Sequence, residues 1–340
     1  MFINRIRNEI KSYYKLLSPE YPLWLNEYIE TKELLKQEYV NVNCGIVYSN
    51  LFNIEFVSSL EHSVAVALII WNFTHDKIQT LAGLFHDIAT PSFNHCIDFL
   101  NGDYMVQEST EDLTTEIIRN SEEIMSLLKR DNIKLEDVCN YHIYPICDNE
   151  TPRLSADRLE YSLCHGFFTY KIFEFNDICE MYNDIEIQSN ENGIIELGFK
   201  TKKIARNFVK MTSQLSVIYR SDKAKYSMQF IADIIKKLNE YGIIQKKDLY
   251  EKKETDIIDI ILNSKYGDIF RKWQKAKKVK VSVLKPDGVY FVKIKTKLRY
   301  IDPLFKGIRI SKCCKIAKKM IDKNLSFENE DYVYLDFNFS

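Results

Sequence analysis

The chain has 340 residues, enough for one large domain or two smaller ones whose apolar core needs no covalent staples. Aromatic residues reach 13% while glycine and proline number only 10 and 7, which excludes long disordered or low-complexity stretches. The formal net charge of −1 hides an asymmetry: between Arg271 and Lys323, 18 Lys/Arg face 3 Asp, a local +15 that leaves −16 for the remainder. Eight cysteines form no CxxC pair and no even spacing, which argues against a zinc ribbon or a disulfide framework and for reduced thiols. The N-terminus lacks the apolar stretch of a signal peptide, and the longest apolar run, Val64 to Phe73, falls short of the roughly 20 residues of a membrane span. A cytoplasmic enzyme with no membrane partner is expected.

In chain order, residues 1–40 carry apolar positions at helical spacing (Ile6, Ile10, Tyr13, Tyr14, Leu17), broken at Pro19 and Pro22 and resumed from Leu25 to Leu35. A loop over Cys44 to Phe56 leads into a helix over about 57–73, with His62 in its first turns. A second buried helix spans about 77–86 and ends at His86-Asp87-Ile88-Ala89-Thr90-Pro91, because Pro91 disfavours helical geometry in the residue before it. Further helices are expected at about 109–129, 135–143, 153–174 and 201–238. Past Gly242 the pattern changes: two β-rich runs flank Lys285-Pro286-Asp287-Gly288, which supports a tight hairpin, and a short helix near 311–323 and a strand near 331–337 follow. The fold class is therefore mainly α, with a helical domain over 1–240 and a basic α+β unit over 241–340.

His62, His86, Asp87 and Asp157 lie in the helical block. Two imidazoles and two carboxylates suit one divalent ion of Mn, Fe, Zn, Co or Ni better than Mg, which prefers oxygen ligands throughout. Such an ion lowers the pKa of a bound water and polarises a phosphoryl oxygen, the two needs of phosphoester hydrolysis.

At these residues, over roughly 50–170, the chain resembles the HD-domain metal-dependent phosphohydrolases, nearest the deoxynucleoside-triphosphate triphosphohydrolase branch. Glu61-His62-Ser63 resembles the first ligand and its flanks, LAGLFHDIATPSFNH the second motif, and Asp157-Arg158-Leu159-Glu160-Tyr161 the last, in which a basic residue and a sugar-packing Tyr follow the fourth ligand. The resemblance implies an HD-domain helical bundle, a mononuclear metal site, a nucleotide substrate and a homo-oligomer. The chain departs from the branch at Ser59, where the branch has Arg, at Thr90, where it has His, at Thr110-Glu111, where it has a catalytic His-Glu, and at Cys164-His165, where it has a basic-acidic pair.

Other positions admit two readings each. His75-Asp76 repeats the HD dipeptide but sits between two helices, where a cap or turn is favoured. His95 serves either as a phosphate contact or as a loop histidine, and His142 either reaches the site or makes a structural hydrogen bond. Glu111 is a candidate general acid or a first-turn capping residue. Tyr161, one turn from Asp157, either stacks on a nucleoside or fills core, while Arg153 and Arg158 are candidate phosphate ligands. Lys293, Lys295 and Lys297 on a strand over 289–298 would share one face, either a solvated edge or an anion-binding surface for nucleic acid or a regulatory nucleotide, away from the metal site. Two functions follow: a phosphohydrolase working through a metal-activated water on a nucleotide, more narrowly a deoxynucleotide, or a nucleotide- or nucleic-acid-binding regulatory protein that keeps the fold with little turnover.

Overall fold

The structure is a computed structural model that describes residues 1–96, 113–295, 297–329 and 331–338. It is mainly helical. The longer helices are α1 (Asn8–Leu17), α2 (Ser59–Thr74), α3 (Lys77–Phe85), α4 (Glu122–Arg130), α5 (Ala156–Cys164), α6 (Phe175–Asn183), α7 (Lys202–Tyr219), α8 (Asp222–Glu240), α9 (Glu254–Leu262), α10 (Gly267–Lys275) and α11 (Lys315–Leu325). No described helix is long and apolar enough to cross a membrane.

Helix α2 is the axis of the first core. Its start is fixed by a capping box: the Ser58 hydroxyl accepts from the Glu61 amide at 3.1 Å, and the Glu61 carboxylate accepts from the Ser58 amide at 2.8 Å. From Leu60 to Ile70 nearly every side chain is buried, so α2 is enclosed on all sides, whereas α1 buries only the stripe Ile10, Tyr13, Tyr14 and Leu17 against it. His75 turns the chain with φ 50°, and the Asp76 carboxylate caps α3 by accepting from the amides of Ile78 (2.8 Å) and Gln79 (3.2 Å). The second HD dipeptide is thus a turn and a helix cap. Gly83 of α3 faces Ile70 of α2, and a Cβ there would lie 2.1 Å from Ile70 Cδ1, so the glycine allows the two helices to pack closely.

Several expected elements differ in the structure. The helix expected over 201–238 is two helices, α7 and α8, because Ser221 adopts extended geometry (φ −65°, ψ 154°) and begins α8 anew. Within the expected 109–129, the described part holds a short helix, Thr114–Asn120, and then α4, broken at Ser121, whose hydroxyl caps α4. The helix expected over 153–174 ends at Cys164 and passes into a π-helical turn over His165–Thr169. A hairpin in 185–199 was not anticipated: β1 (Ile185–Ser189) pairs antiparallel with β2 (Ile195–Phe199).

The expected hairpin around Pro286 is also replaced. Strands β3 (Lys280–Ser282) and β4 (Phe291–Val292) do not pair with each other, because the late strand β7 (Tyr332–Tyr334) lies between them, with Val333 opposite both Val281 and Val292. The connection over 283–290 is long enough to leave that slot open. Strands β5 (Leu304–Phe305) and β6 (Ile308–Arg309) extend the β1–β2 pair to the order β1-β2-β5-β6.

Two apolar cores result. The first gathers α1 to α7 and the β1–β2 pair around α2, and Ile301, Ile310, Ala317 and Ile321 return to it from late in the chain. The second gathers α8, α9, α10 and the β3-β7-β4 sheet, together with Ile46, Phe52, Phe93 and Cys96 from early loops. Along the helices, the change from the first core to the second falls in the α7–α8 turn. Glu254, the first residue of α9, ties the early loops to the second core: its buried carboxyl accepts from the amides of Asn41 (3.0 Å) and Phe93 (2.8 Å) and from the Tyr48 hydroxyl (2.9 Å).

Burial pushes the Glu254 carboxyl up to about 7, against its three hydrogen bonds and nearby Lys36. Because the folded pKa lies above the ordinary glutamate value, folding takes up a proton here; that stability is full below the ordinary value and is lost as pH rises through about 7. Glu254→Gln should melt like wild type near pH 5 and above it near pH 8, each pH being approximate. Paired thermal melts check this, and a pH-independent offset between the two proteins would refute it.

Candidate metal centre

His62 projects from the first turns of α2, His86 is the residue capping the C-terminus of α3, Asp87 follows it in the turn, and Asp157 lies in the first turn of α5. Their donor atoms converge. His62 Nε2 lies 3.2 Å from His86 Nε2, 3.3 Å from Asp157 Oδ1 and 3.8 Å from Asp87 Oδ2; His86 Nε2 lies 3.6 Å from Asp87 Oδ2 and 3.8 Å from Asp157 Oδ1. Those separations suit donors sharing one ion bonded at about 2.0–2.2 Å.

The far side of each imidazole is engaged, which is what orients a ligand histidine. His62 Nδ1 pairs with Glu160 Oε2, and the Tyr13 hydroxyl of α1 donates to Glu160 Oε1 at 3.3 Å. His86 Nδ1 donates to the Gly83 carbonyl at 2.7 Å. Both Nε2 atoms are thereby turned to the cluster; the donors of His62, His86 and Asp87 all lie within 4.8 Å of one another and could hold a metal ion, and Asp157 adds an oxygen close to both imidazoles. Burial alone would lower the His62 pKa, but Glu160 and Asp157 raise it well above its ordinary value. Burial would likewise raise Asp157, yet the hydrogen bond to His62 and the charge of His86 hold its carboxyl well below the usual range.

The cluster opens into a cavity of about 310 Å³, whose walls also include Tyr161, His165, Tyr170 and Tyr219. Of the residues singled out from sequence, His95, Arg158 and Tyr161 line it. So does His142, whose Nδ1 lies 2.9 Å from Asp148 Oδ2. Arg153 is not among the lining side chains; its carbonyl receives Arg158 Nη1 at 3.3 Å, so its contribution is to hold Arg158. Glu111, with Thr110, lies outside the described residues.

Four lining residues were not assigned to the site from sequence. Glu160 was visible as the residue three after Asp157, and asking what holds the second nitrogen of a ligand histidine would have found it. Asn43 lines the cavity with its buried Nδ2 lacking a hydrogen-bond partner among the described residues, and no sequence signal marks it. Lys297 and Arg299 also line the cavity. This corrects the expectation of a lysine-bearing strand distant from the metal ligands: the strand stops at Val292, Lys293 lies 4.3 Å over the Tyr332 ring, and the chain beyond runs to the cavity.

Three of the positions that depart from the resembled branch fall within the described residues, and the buried hydroxyls of Ser59 and Thr90 have no hydrogen-bond partner there. Ser59 and Thr90 are buried, and the Thr90 carbonyl accepts from Lys36 (3.2 Å) and Gln37 (3.1 Å). His165 Nδ1 lies 2.6 Å from the Tyr219 hydroxyl, and burial, assisted by the charges of His62 and Arg299, pushes its pKa down to about 3.

No protein-family model matches the chain. It is similar, at 20% identity over 256 residues, to the uncharacterized protein YdhJ of Bacillus subtilis (strain 168), an alignment that covers 73% of this chain and 74% of that protein. That relative's name states no activity, so the site alone bears on function.

His86→Ala should abolish metal retention while leaving the helical fold intact. Glu160→Ala should weaken metal affinity by about 10- to 100-fold, the usual cost of losing the group that orients a ligand histidine. Metal analysis after dialysis, with circular dichroism as the folding control, checks both; unchanged affinity in Glu160→Ala would remove its orienting role.

Proposed function

We propose that this chain is an HD-domain-type, metal-dependent phosphohydrolase acting on a nucleotide, with a deoxynucleotide as the favoured substrate. The observation that carries the reading is the convergence of His62, His86, Asp87 and Asp157 at one end of a cavity lined with tyrosines and cations.

His62, His86, Asp87 and Asp157 would hold the ion, and Mn, Fe, Zn, Co and Ni are the candidates. When bound, a divalent ion there supplies Lewis acidity to a phosphoryl oxygen and acidifies water for attack. Glu160 keeps the His62 ring oriented, and its negative charge strengthens that imidazole as a donor. Tyr161, on the helix carrying Asp157, offers a ring to the nucleoside. Arg158, steadied by Asn149 Oδ1 at 2.7 Å, borders the same space. His95 and Glu111 remain the candidates for contacting the phosphate and for donating a proton to the leaving group.

A second reading, a nucleotide-binding regulatory protein with little turnover, draws on His165. Held uncharged and paired with Tyr219, it replaces neither member of the basic-acidic pair at this position in the resembled branch.

The test is metal analysis followed by a screen of nucleoside and deoxynucleoside mono-, di- and triphosphates, reading phosphate, pyrophosphate and triphosphate release. Hydrolysis lost in Asp87→Ala, with KM raised in Tyr161→Ala at unchanged metal content, is expected. Tight nucleotide binding without release would favour the regulatory reading, and wild-type protein that holds no metal would overturn the proposal.

A further inference from the structure

We infer that His165 is a specificity-determining residue for the nucleobase: its Nε2–H, set in a cage of tyrosine rings, selects among bases by the hydrogen-bond acceptors on their edges. The inference deepens the reading of the cavity as a nucleotide site and rests on it.

The backbone builds this wall in two steps. Helix α5 ends at Cys164 and opens into the π-helical turn His165–Thr169, which the Tyr170 amide closes by donating to the His165 carbonyl at 2.9 Å. Such turns are rare and are frequent at functional sites. Helix α7 packs directly on this one, since a Cβ at Gly166 would lie 2.5 Å from Met211 Sδ. Three rings meet where the turn and α7 adjoin: the His165 centroid lies 6.0 Å from that of Tyr170 and 5.5 Å from that of Tyr219, at interplanar angles of 88° and 73°. Tyr161 adds a fourth ring at 6.3 Å, and all four line the cavity. An aromatic wall with a few fixed polar atoms suits a flat heterocycle.

The polar atom of that wall is oriented. His165 Nδ1 lies 2.6 Å from the Tyr219 hydroxyl, and a phenol is a stronger acid than a neutral imidazole, so Tyr219 donates and Nδ1 accepts. Burial keeps the Tyr219 hydroxyl protonated and the imidazole uncharged. The single ring proton therefore sits on Nε2. Among the described residues no acceptor meets that Nε2, so the donor that His165 brings to the cavity is not spent on the protein.

Position decides which part of a nucleotide meets it. Asp157, Tyr161 and His165 follow one another along α5 at intervals of about one turn. A nucleotide with its phosphates at the metal ligands and its sugar against Tyr161 carries its base onward to His165. A fixed donor there favours a base that presents a carbonyl oxygen or ring nitrogen, and disfavours one that presents an amino group.

The experiment uses the full-length protein as purified, whether or not it carries a metal, because a nucleoside has no phosphate for a metal to hold. Ligand-observed NMR titrations measure the affinities of the four common deoxynucleosides for wild type, His165→Phe, His165→Gln and Tyr219→Phe. Wild type should bind the four unequally. His165→Phe keeps a ring but removes the donor, and should weaken the preferred nucleoside by about tenfold while sparing the poorest. His165→Gln, which restores an N–H, should recover part of the preference. Nitrogen NMR should show His165 protonated on Nε2 in wild type and as a mixture of tautomers in Tyr219→Phe, with a smaller loss of preference. Should His165→Phe not fold, judged by thermal melting, His165→Gln and Tyr219→Phe carry the test. No nucleoside binding by wild type, an equal loss for all four nucleosides, unchanged preference in the variants that fold, or a wild-type His165 protonated on Nδ1 would each overturn the inference. Failure of the parent reading looks different: no nucleotide releases phosphate with any of the candidate metals added, while the nucleoside series still decides the role of His165.

Discussion

The close approach of α2 and α3 at Gly83 is the constraint on which the site depends. A side chain at that position would collide with Ile70 Cδ1, so either the Ile70 side chain or the helix spacing would have to give. Any widening of the crossing would carry His62 and His86 apart, and their Nε2 atoms stand only 3.2 Å from each other. The same residue acts a second time, since its carbonyl receives His86 Nδ1 and sets that ring's orientation. A glycine inside a helix costs about 1 kcal/mol relative to alanine. Here it is offset by the interhelical packing that it permits.

Around this crossing, the cavity draws its walls from both cores. Its early loops are stiffened from the second core: Glu254 takes the amides of Asn41 and Phe93, and Ser92 donates through its amide to Leu249 O (2.7 Å) and through its hydroxyl to Lys252 O (2.9 Å). These contacts hold consecutive positive φ angles at Phe93 (67°) and Asn94 (47°), immediately before His95. Non-glycine residues occupy that region at a conformational cost and persist there only where the surroundings determine them strongly. The loop that brings His95 to the cavity is thus held by the second core.

Much of this was legible in the sequence where one local rule decides the outcome. Ser58 three residues before Glu61 announces the start of α2, and Asp76 before an apolar run announces α3. The four metal-ligand candidates stood out because each lies at a helix start or end in an apolar block. What stayed hidden depends on partners far away in the chain. Nothing near Lys280 or Phe291 reveals that Val333 will lie between their strands, and nothing near Arg299 reveals that Ser216 and Asn324 will direct it to the cavity. The excess of positive charge in that segment could be counted, but its destination was a matter of tertiary packing. The β1–β2 hairpin is different: alternation through Ile185 and Ile187 and the turn at Asn190–Gly193 were present in the sequence and went unread.

The order in which the cavity's parts occur along the chain has a consequence for how it is made. All four converging donors lie before residue 158, whereas two of the cations that line the cavity come at 297 and 299. A growing polypeptide therefore carries all four candidate donors well before Lys297 and Arg299 are added to it. The candidate donors and the late cations of the cavity are thus separated in biosynthetic time, and the first core itself is completed only when Ile301, Ile310, Ala317 and Ile321 join it.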